Sequence, residues 1–303
     1  MTSKLPFVFF GTPALATVFL DDLEAAGLVP ALVVTAPDAP RGRGMKLASP
    51  PVKEWAFIRS IEVLQPEKLD AEFSSQLEAR SLQLFVVIYY GKILPKAILD
   101  IPKHGALNIH FSLLPRWRGT SPVRAAILND DREIGASIML LDEKIDHGPI
   151  VAQKKISVPN WPVKASELEE RLTRESARLL VEILPSWISN SISAHEQNHD
   201  LATHCPTLAK KDGLIRLADD SYKNVLKIRA FDTTIGTYAL FERGPSTDST
   251  SSPQASSGQA KTIRVQILDA HLENEKLVID RVKPEGKREM TYDEFQRSGA
   301  RPV

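Results

Sequence analysis

The chain is predicted to be an α/β protein in which a Rossmann-like, doubly wound sheet is followed by a small C-terminal β-barrel. Two observations support this fold class. Short apolar runs alternate with helical patterns in the first half of the chain, and strand-like runs replace the helical patterns after residue 206. We therefore expect a first domain over residues 1–189, a linker over residues 190–206 and a second domain over residues 207–303.

The first domain is predicted to open with a strand, a turn and a helix. Phe7–Phe10 is a short apolar run closed by the turn residues 11–13, and apolar side chains recur at helical spacing over residues 15–26. Further strands are predicted at residues 31–35 and 84–88, with a helix at residues 51–59. Because ligands bind beyond the carboxyl ends of the strands in such sheets, we expect a crevice at that edge.

The second half of the chain changes from helical to strand-like patterns. A core-facing helix is predicted over residues 164–188. The polar stretch after it contains His195, His199 and His204, and we interpret it as a solvated linker rather than a zinc site, because neither a Cys pair nor an H-E-x-x-H pattern accompanies it. Strands are predicted at residues 213–217, 237–241, 263–268 and 276–282, and a mobile Ser-, Thr-, Pro- and Gly-rich loop at residues 244–261.

The composition limits the classes of protein to which the chain can belong. Its 38 basic and 38 acidic side chains cancel, so no net charge draws it to nucleic acid, and any RNA contact depends on local basic patches. Cys205 is the single cysteine, which excludes an internal disulfide framework and a cysteine-based metal cluster. The sequence has no signal-peptide pattern and no long apolar run, so we expect a soluble, cytoplasmic protein without a membrane partner.

Three polar residues near predicted strand ends form a candidate catalytic set. Asn108 and His110 are two residues apart, so on an extended segment they would point to the same face, and Asp146 follows in an acid-rich turn. The set suits acyl transfer to an amine, because an amide can donate to a developing oxyanion while an imidazole and a carboxylate manage protons. The residues alone leave open which proton-handling role falls to His110 and which to Asp146.

Motifs over nearly the whole chain resemble the formyltransferase superfamily that uses 10-formyltetrahydrofolate. They lie at residues 9–13, 35–53, 90–96, 108–119 and 141–148, with weaker likeness at residues 229–231 and 282–290. The Asn-x-His pair with a distant Asp is typical of the superfamily, whereas the Arg-Gly-Arg-Gly loop is typical of the branch that acts on methionyl-initiator tRNA. The resemblance implies metal-free transfer of the formyl group from 10-formyltetrahydrofolate to the α-amino group of that tRNA, for initiation of translation.

The resemblance also implies which parts of the chain bind the two substrates. The implied folate-binding residues are Ser112, Leu113, Leu114, Pro115, Tyr90, Gly91, Ile93, Leu94 and Ile145. The C-terminal barrel is implied to be OB-like and to bind tRNA. A monomer without an obligatory protein partner is expected.

The loop over residues 36–49 carries Arg41, Arg43 and Lys46 among flexible glycines. From the residues alone a solvated surface loop is favoured, because charge runs usually lie in solvent. The resemblance instead implies that the loop enters the acceptor stem of initiator tRNA, with Arg43 at the inserted position and the neighbouring cations on phosphates.

The chain departs from the superfamily pattern at several positions. Lys144 stands where Gly is usual and His147 where Thr is usual, so the acid turn is bulkier and has a titratable group beside Asp146. Residues 232–235 read Asp-Thr-Thr-Ile where an Asn-Pro-Trp-Pro-like run is usual. Two alternatives therefore stay open: an N-formyltransferase of amino-sugar nucleotides, which has no evident need for the Arg-Gly-Arg-Gly loop, and a catalytically impaired RNA-binding homologue.

Overall fold

A computed structural model describes residues 5–41, 44–243 and 261–303 of the chain. These residues form two compact units. The first unit takes the described residues of 1–122, 133–157 and 169–205, and the second takes those of 123–132, 158–168 and 206–303.

The first unit is built on a seven-stranded sheet with the order β5-β2-β1-β6-β7-β8-β9. Its strands are β1 (Phe7–Phe10), β2 (Leu32–Val34), β5 (Glu62–Leu64), β6 (Leu84–Val87), β7 (Ala106–His110), β8 (Gly135–Leu140) and β9 (Ile150–Lys155), and a separate hairpin comprises β3 (Ala39–Arg41) and β4 (Lys46–Ala48). The five strands from β5 to β7 in this order are parallel to one another, while β8 is antiparallel to both of its neighbours, β7 and β9. The predicted doubly wound sheet is thus confirmed, with two antiparallel strands added at one side.

Helices connect the parallel strands of the first unit and also occur in the second unit. They are α1 (Ala14–Ala25), α2 (Pro51–Ile58), α3 (Ala71–Glu78), α4 (Lys96–Leu99), α5 (Pro122–Leu128), α6 (Ala165–Ile188), α7 (Ser221–Ala230) and α8 (Tyr292–Gln296), with short 3-10 turns at His199–Leu201 and Lys210–Gly213. The helices α7 and α8 belong to the second unit. Every residue of β1 and of β6 is buried, as expected for central parallel strands covered on both faces. Phe10 packs against Phe85 and Tyr90 in the core below the sheet's carboxyl edge.

The second unit contains a five-stranded antiparallel sheet with the order β13-β12-β11-β10-β14. Its strands are β10 (Thr237–Arg243), β11 (Lys261–Glu273), β12 (Lys276–Pro284), β13 (Met290–Thr291) and β14 (Arg301–Pro302). Ala239 and Phe241 alternate with more exposed neighbours on β10, so one face of the strand is buried. The strand-rich C-terminal region predicted from the sequence is therefore confirmed.

One predicted strand is wrong. The sequence predicts an extended strand at residues 213–217, but Lys210–Gly213 form a 3-10 turn. Beyond this turn, the strand pairing is limited to an isolated bridge between Leu214 and Tyr238. The backbone is crowded here, since a side-chain carbon on Gly213 would lie 2.2 Å from the carbonyl oxygen of Gly236. Most of the predicted loop at 244–261 lies outside the described residues, and Lys261 begins β11. Within the described ranges, no helix combines the length and the apolar character needed to cross a membrane.

Replacement of Phe241 by Ala should destabilise the second unit. Phe241 is fully buried and makes edge-to-face contacts with Tyr292 and Phe295, so its loss removes apolar burial and leaves a cavity. We expect the free energy of unfolding to fall by about 3–5 kcal/mol, measured by urea denaturation. The matched control Phe57→Ala removes a ring that is 81% exposed and should change it by less than about 0.5 kcal/mol. Equal losses in the two variants would contradict this packing.

Candidate active site

Asn108 and His110 lie on β7 and both line one cavity of about 430 Å³ in the first unit. Their spacing of two residues along an extended strand places both side chains on the same face. Asp146, from the turn between β8 and β9, lines the same cavity. The structure therefore brings the predicted catalytic set together.

The cavity walls are largely apolar around these three polar side chains. The apolar contributors include Val87, Tyr90, Leu94, Phe111, Leu141 and Ile145. Burial raises the pKa of Tyr90 to about 12, so its phenol stays neutral. A volume of this size with few convergent polar groups is typical of a small-molecule site, and the weakly polarisable walls strengthen hydrogen bonds formed inside it.

His110 is held in a defined orientation. Its Nε2 lies 3.0 Å from the carbonyl oxygen of Trp117, and because a carbonyl only accepts, this nitrogen carries a proton. Its Nδ1 faces the Oδ1 of Asp146 at 3.6 Å, too far for a hydrogen bond. Nδ1 is therefore the ring nitrogen that faces the carboxylate of Asp146.

The Asp146 carboxylate is held by the loop that follows β7. The backbone N–H of Gly119 donates to its Oδ2 at 2.7 Å, which leaves Oδ1 towards His110. The side chain of Asp146 is only 13% exposed. The amide of Asn108, in contrast, has no hydrogen-bond partner in the part of the chain that the structure describes, so its N–H groups are available to a ligand in the cavity.

The turn that carries Asp146 has a restricted backbone. Asp146 has a φ of +48°, in the left-handed region that costs energy for residues with a side chain. Two residues later, a side-chain carbon on Gly148 would lie 2.0 Å from the carbonyl oxygen of Leu140. The close packing of this turn against the end of β8 therefore requires glycine at position 148.

The two unusual residues of the turn are accommodated without disturbing Asp146. His147 contacts the carboxylate of Asp142 through Nδ1, 2.6 Å from Oδ2, and its ring stacks on His199 with 4.1 Å between ring centres. The backbone N–H of Lys144 donates to the other oxygen of Asp142 at 2.9 Å. The ring of His147 is thus directed to Asp142 and His199, while Lys144 is one of the residues that line the cavity.

The predicted folate-binding residues separate into two groups. Tyr90, Gly91, Ile93, Leu94 and Ile145 line the cavity, and Ile93 and Ile145 are 66% and 58% exposed there. Ser112, Leu113, Leu114 and Pro115 are not among the residues that line it, and their folate contact stays a prediction. Within this second group Ser112 and Leu114 are buried, and the peptide N–H of Leu114 donates to the hydroxyl of Ser137.

The described residues of the predicted tRNA-binding loop, on either side of residues 42 and 43, form a hairpin. β3 and β4 pair from Ala39 with Ala48 to Arg41 with Lys46, and Lys46 is exposed near its tip. Arg43 lies outside the described residues. Met45 and Leu47 are 70% and 71% exposed on the same hairpin, so apolar and cationic side chains are presented together.

Sequence reasoning missed the contacts of residues 195–205, which belong to the first unit rather than lying free in solvent. His195 and Ile150 exchange backbone hydrogen bonds of 2.8 Å, and the N–H of Trp117 donates to the hydroxyl of Thr203 at 2.9 Å. Gln197 is buried within this polar stretch. No local signal identifies it, because the pattern around it is that of a surface segment.

Among the described residues, no group of three or more His, Cys, Asp or Glu side chains is arranged to hold a metal ion. The thiol of Cys205 accepts a hydrogen bond from the N–H of Ser121 at 3.2 Å, and burial raises its pKa. It packs behind Gly119, outside the set of residues that line the cavity.

Comparison with known proteins gives consistent results. The sequence pattern of the family described as formyl transferase matches residues 4–184. A methionyl-tRNA formyltransferase from Halorhodospira halophila is 34% identical over 95% of this chain and 94% of its own, and one from Thermodesulfovibrio yellowstonii is 35% identical over the same shares.

Solved structures share the fold at low sequence identity. A methionyl-tRNA formyltransferase from Clostridium thermocellum matches with a TM-score of 0.58 and 14% identity, covering 92% of this chain and 98% of its own. An N-formyltransferase from Helicobacter canadensis, in complex with folinic acid and dTDP-3-aminofucose, matches with a TM-score of 0.57 and 19% identity, covering 78% and 88%. At these identities the likeness concerns the fold alone.

Replacement of Gly148 by Ala should displace the turn that carries Asp146. The added methyl group would meet a backbone oxygen at 2.0 Å, which cannot move aside as a flexible side chain can. We expect the free energy of unfolding to fall by about 3 kcal/mol in a denaturant titration. In the control Gly27→Ala, the new methyl group meets nothing within 4 Å, so only the cost of a left-handed backbone, about 1 kcal/mol, is expected. A smaller loss for Gly148→Ala than for the control would refute the crowding argument.

Proposed function

Because the chain belongs to the methionyl-tRNA formyltransferase family, we propose that it transfers the formyl group of 10-formyltetrahydrofolate to the α-amino group of methionyl-initiator tRNA. The observation that carries the proposal is the convergence of Asn108, His110 and Asp146 on one largely apolar cavity. The protein is a formyl-transfer enzyme, and the features below support the finer assignment of donor, acceptor and residue roles.

The cavity fits a reduced folate that carries a formyl group. Its apolar walls, which include Tyr90, Leu94 and Ile145, can enclose a flat heterocycle, and Asn108 contributes an amide donor suited to an activated carbonyl. The folate supplies a formyl group whose carbonyl carbon is open to attack by an amine. All other steps fall to side chains of this chain.

Asn108 would donate an N–H to the carbonyl oxygen as negative charge develops on it. A donor of this kind is worth about 10²–10³ in kcat, because it stabilises the transition state more than the bound substrate. In the balanced step, the amine nitrogen bonds to the formyl carbon and the bond from that carbon to the folate nitrogen breaks. The amine loses one proton, and the folate nitrogen gains one.

Asp146 and His110 would handle that proton. Asp146 Oδ1 is free of the hydrogen bond that holds Oδ2, so it can accept the proton of the attacking amine. His110 faces the same oxygen at 3.6 Å and can deliver a proton towards the leaving nitrogen. The proton thus moves within the cavity, with the apolar walls limiting exchange with solvent.

Exposed cationic side chains on each unit support tRNA as the acceptor. On the first unit, the hairpin of β3 and β4 presents Lys46 beside exposed apolar side chains. On the second unit, Arg264 is exposed and lies 3.6 Å above the ring of Tyr238, and Lys283 is exposed on the neighbouring strand β12. An arginine stacked on an aromatic ring is suited to contact phosphates and unpaired bases, and a chain of zero net charge depends on such local cations for contact with RNA.

One assay tests the proposed function against its alternatives. Purified protein and 10-formyltetrahydrofolate are incubated with charged initiator tRNA or with a panel of amino-sugar nucleotides. Formylated methionyl-tRNA is the expected product. Formylation of the sugars alone would identify a sugar N-formyltransferase, and tRNA binding without turnover would identify a catalytically impaired RNA-binding protein.

Replacement of Asn108 by Ala should lower kcat by about 10²–10³-fold with little change in KM, because the lost donor acts on the transition state. Steady-state formylation of charged tRNA measures both constants. The matched control is Asn129→Ala, whose amide donates to the carbonyl of Ala125; Asn129 is not among the residues that line the cavity, so this variant should retain kcat. An unchanged kcat in Asn108→Ala would remove this residue from the mechanism.

Replacement of Lys46 by Ala should weaken tRNA binding without altering the cavity. Loss of one phosphate contact should reduce the slope of log affinity against log salt by about 1, and raise KM for tRNA at physiological salt. Folate affinity should stay constant. Lys103→Ala is the matched control, since Lys103 is exposed near the start of β7, away from the hairpin. Equal salt slopes for both variants would argue against tRNA contact by the hairpin.

A further inference from the structure

Gln197 makes four hydrogen bonds from one buried amide. Its Nε2 donates to the carbonyl oxygen of Asp146 at 3.0 Å and to that of Gly148 at 2.8 Å. Its Oε1 accepts from the Nε and Nη2 of Arg118 at 3.2 and 2.6 Å. The side chain is 5% exposed, so both donor protons and both acceptor positions of the amide are used inside the protein.

Arg118 connects this amide to the other side of the active site. Its neighbours in the chain hold the catalytic side chains through their backbone, because the carbonyl of Trp117 accepts from His110 and the N–H of Gly119 donates to Asp146. The guanidinium is as buried as Gln197 and has no carboxylate partner in the described ranges, since its contacts are Gln197 and the Nδ1 of His199. The orientation of Arg118 therefore depends on neutral acceptors.

The contacts close a ring around the reacting groups. From His110 the ring passes through the loop at Trp117 to Arg118, then through Gln197 to the backbone of Asp146, whose carboxylate faces His110 again. Asp146 has a left-handed backbone, which persists only where surrounding contacts hold it. Gln197 supplies two of those contacts, one on each side of the peptide unit that follows His147.

We infer that Gln197 is a positioning residue for formyl transfer, which sets the place of the Asp146 carboxylate relative to His110. The inference rests on the proposed function and assigns a role to a segment that the sequence presents as a linker. Gln197 has no hydrogen bond to the side chain of Asn108, His110 or Asp146, and it acts through the backbone of the acid turn.

An amide is the side chain that this place requires. Two carbonyl oxygens on the turn need donors, while Arg118 needs an acceptor. A carboxylate would satisfy Arg118 but would set a negative oxygen against both carbonyls. An apolar side chain of similar size would leave both carbonyl oxygens without these donors and Arg118 with His199 alone, which is costly.

The first test is the isosteric variant Gln197→Met, with the exposed neighbour Glu196→Met as matched control. Displacement of a catalytic group by about 1 Å can lower the rate 10²-fold, so we expect kcat for formylation of charged tRNA to fall about 10–100-fold. KM for 10-formyltetrahydrofolate should change less than about threefold, because the cavity walls are untouched. A kcat within about threefold of the natural chain would overturn the inference.

A second variant keeps the test decisive if Gln197→Met fails to fold. In Gln197→Glu the charged side chain can bind Arg118, and only its protonated form can donate to the turn. We expect its kcat, divided by that of the natural chain, to rise as the pH falls from about 8 to about 5. A flat ratio over that range would overturn the inference.

Hydrogen exchange separates failure of the inference from failure of the proposed function. If the natural chain formylates no tRNA, the proposed function fails. The role of Gln197 is then tested by the hydrogen-exchange rates of the backbone amides of residues 141–149. These should exchange faster in Gln197→Glu than in the natural chain, while those of the second unit's β11 and β12 should not change. Unchanged exchange in the turn would refute the positioning role independently of catalysis.

Discussion

The active site depends on how the acid turn is held against the loop that follows β7. The N–H of Gly119 binds one carboxylate oxygen of Asp146, and the amide of Gln197 binds the backbone carbonyl oxygens of Asp146 and Gly148. These contacts offset the energetic cost of the left-handed backbone at Asp146. They also keep the carboxylate of Asp146 opposite His110. The proposed proton transfer needs this geometry because a carboxylate is effective as a base only within reach of the proton.

This constraint gives the polar groups different environments within one cavity. Asp146 is held by a donor, and His110 donates to a carbonyl, whereas the amide of Asn108 has no partner within the described part of the chain. An unpaired donor among apolar walls does not have to break an existing hydrogen bond before it binds a negative charge that develops nearby. The arrangement therefore supports the proposed stabilisation of an oxyanion by Asn108 more directly than the chemistry of any one residue does.

The departures in the acid turn are compatible with this arrangement. His147 is turned to Asp142 and stacks on His199, so its ring lies outside the contact between Asp146 and His110. The stack also joins the turn to the segment that contains Gln197, because His199 belongs to that segment. His199 in addition accepts a hydrogen bond from Arg118. A bulky residue that could have disrupted the turn is thereby part of its support.

Periodicity and spacing in the sequence determined the doubly wound sheet, the strand-rich C-terminal region and the shared face of Asn108 and His110, since these depend on neighbouring residues along the chain. The motifs also determined the family. The bond between Gln197 and Arg118 spans 79 residues, and only the tertiary structure decided it. Hydrogen bonds between distant segments form where the folded backbone brings a donor to an acceptor, and no local pattern records that meeting. The strand predicted at residues 213–217 also depended on a distant partner: Lys210–Gly213 form a 3-10 turn, and only Leu214 bridges to Tyr238, a pairing that no local pattern specifies.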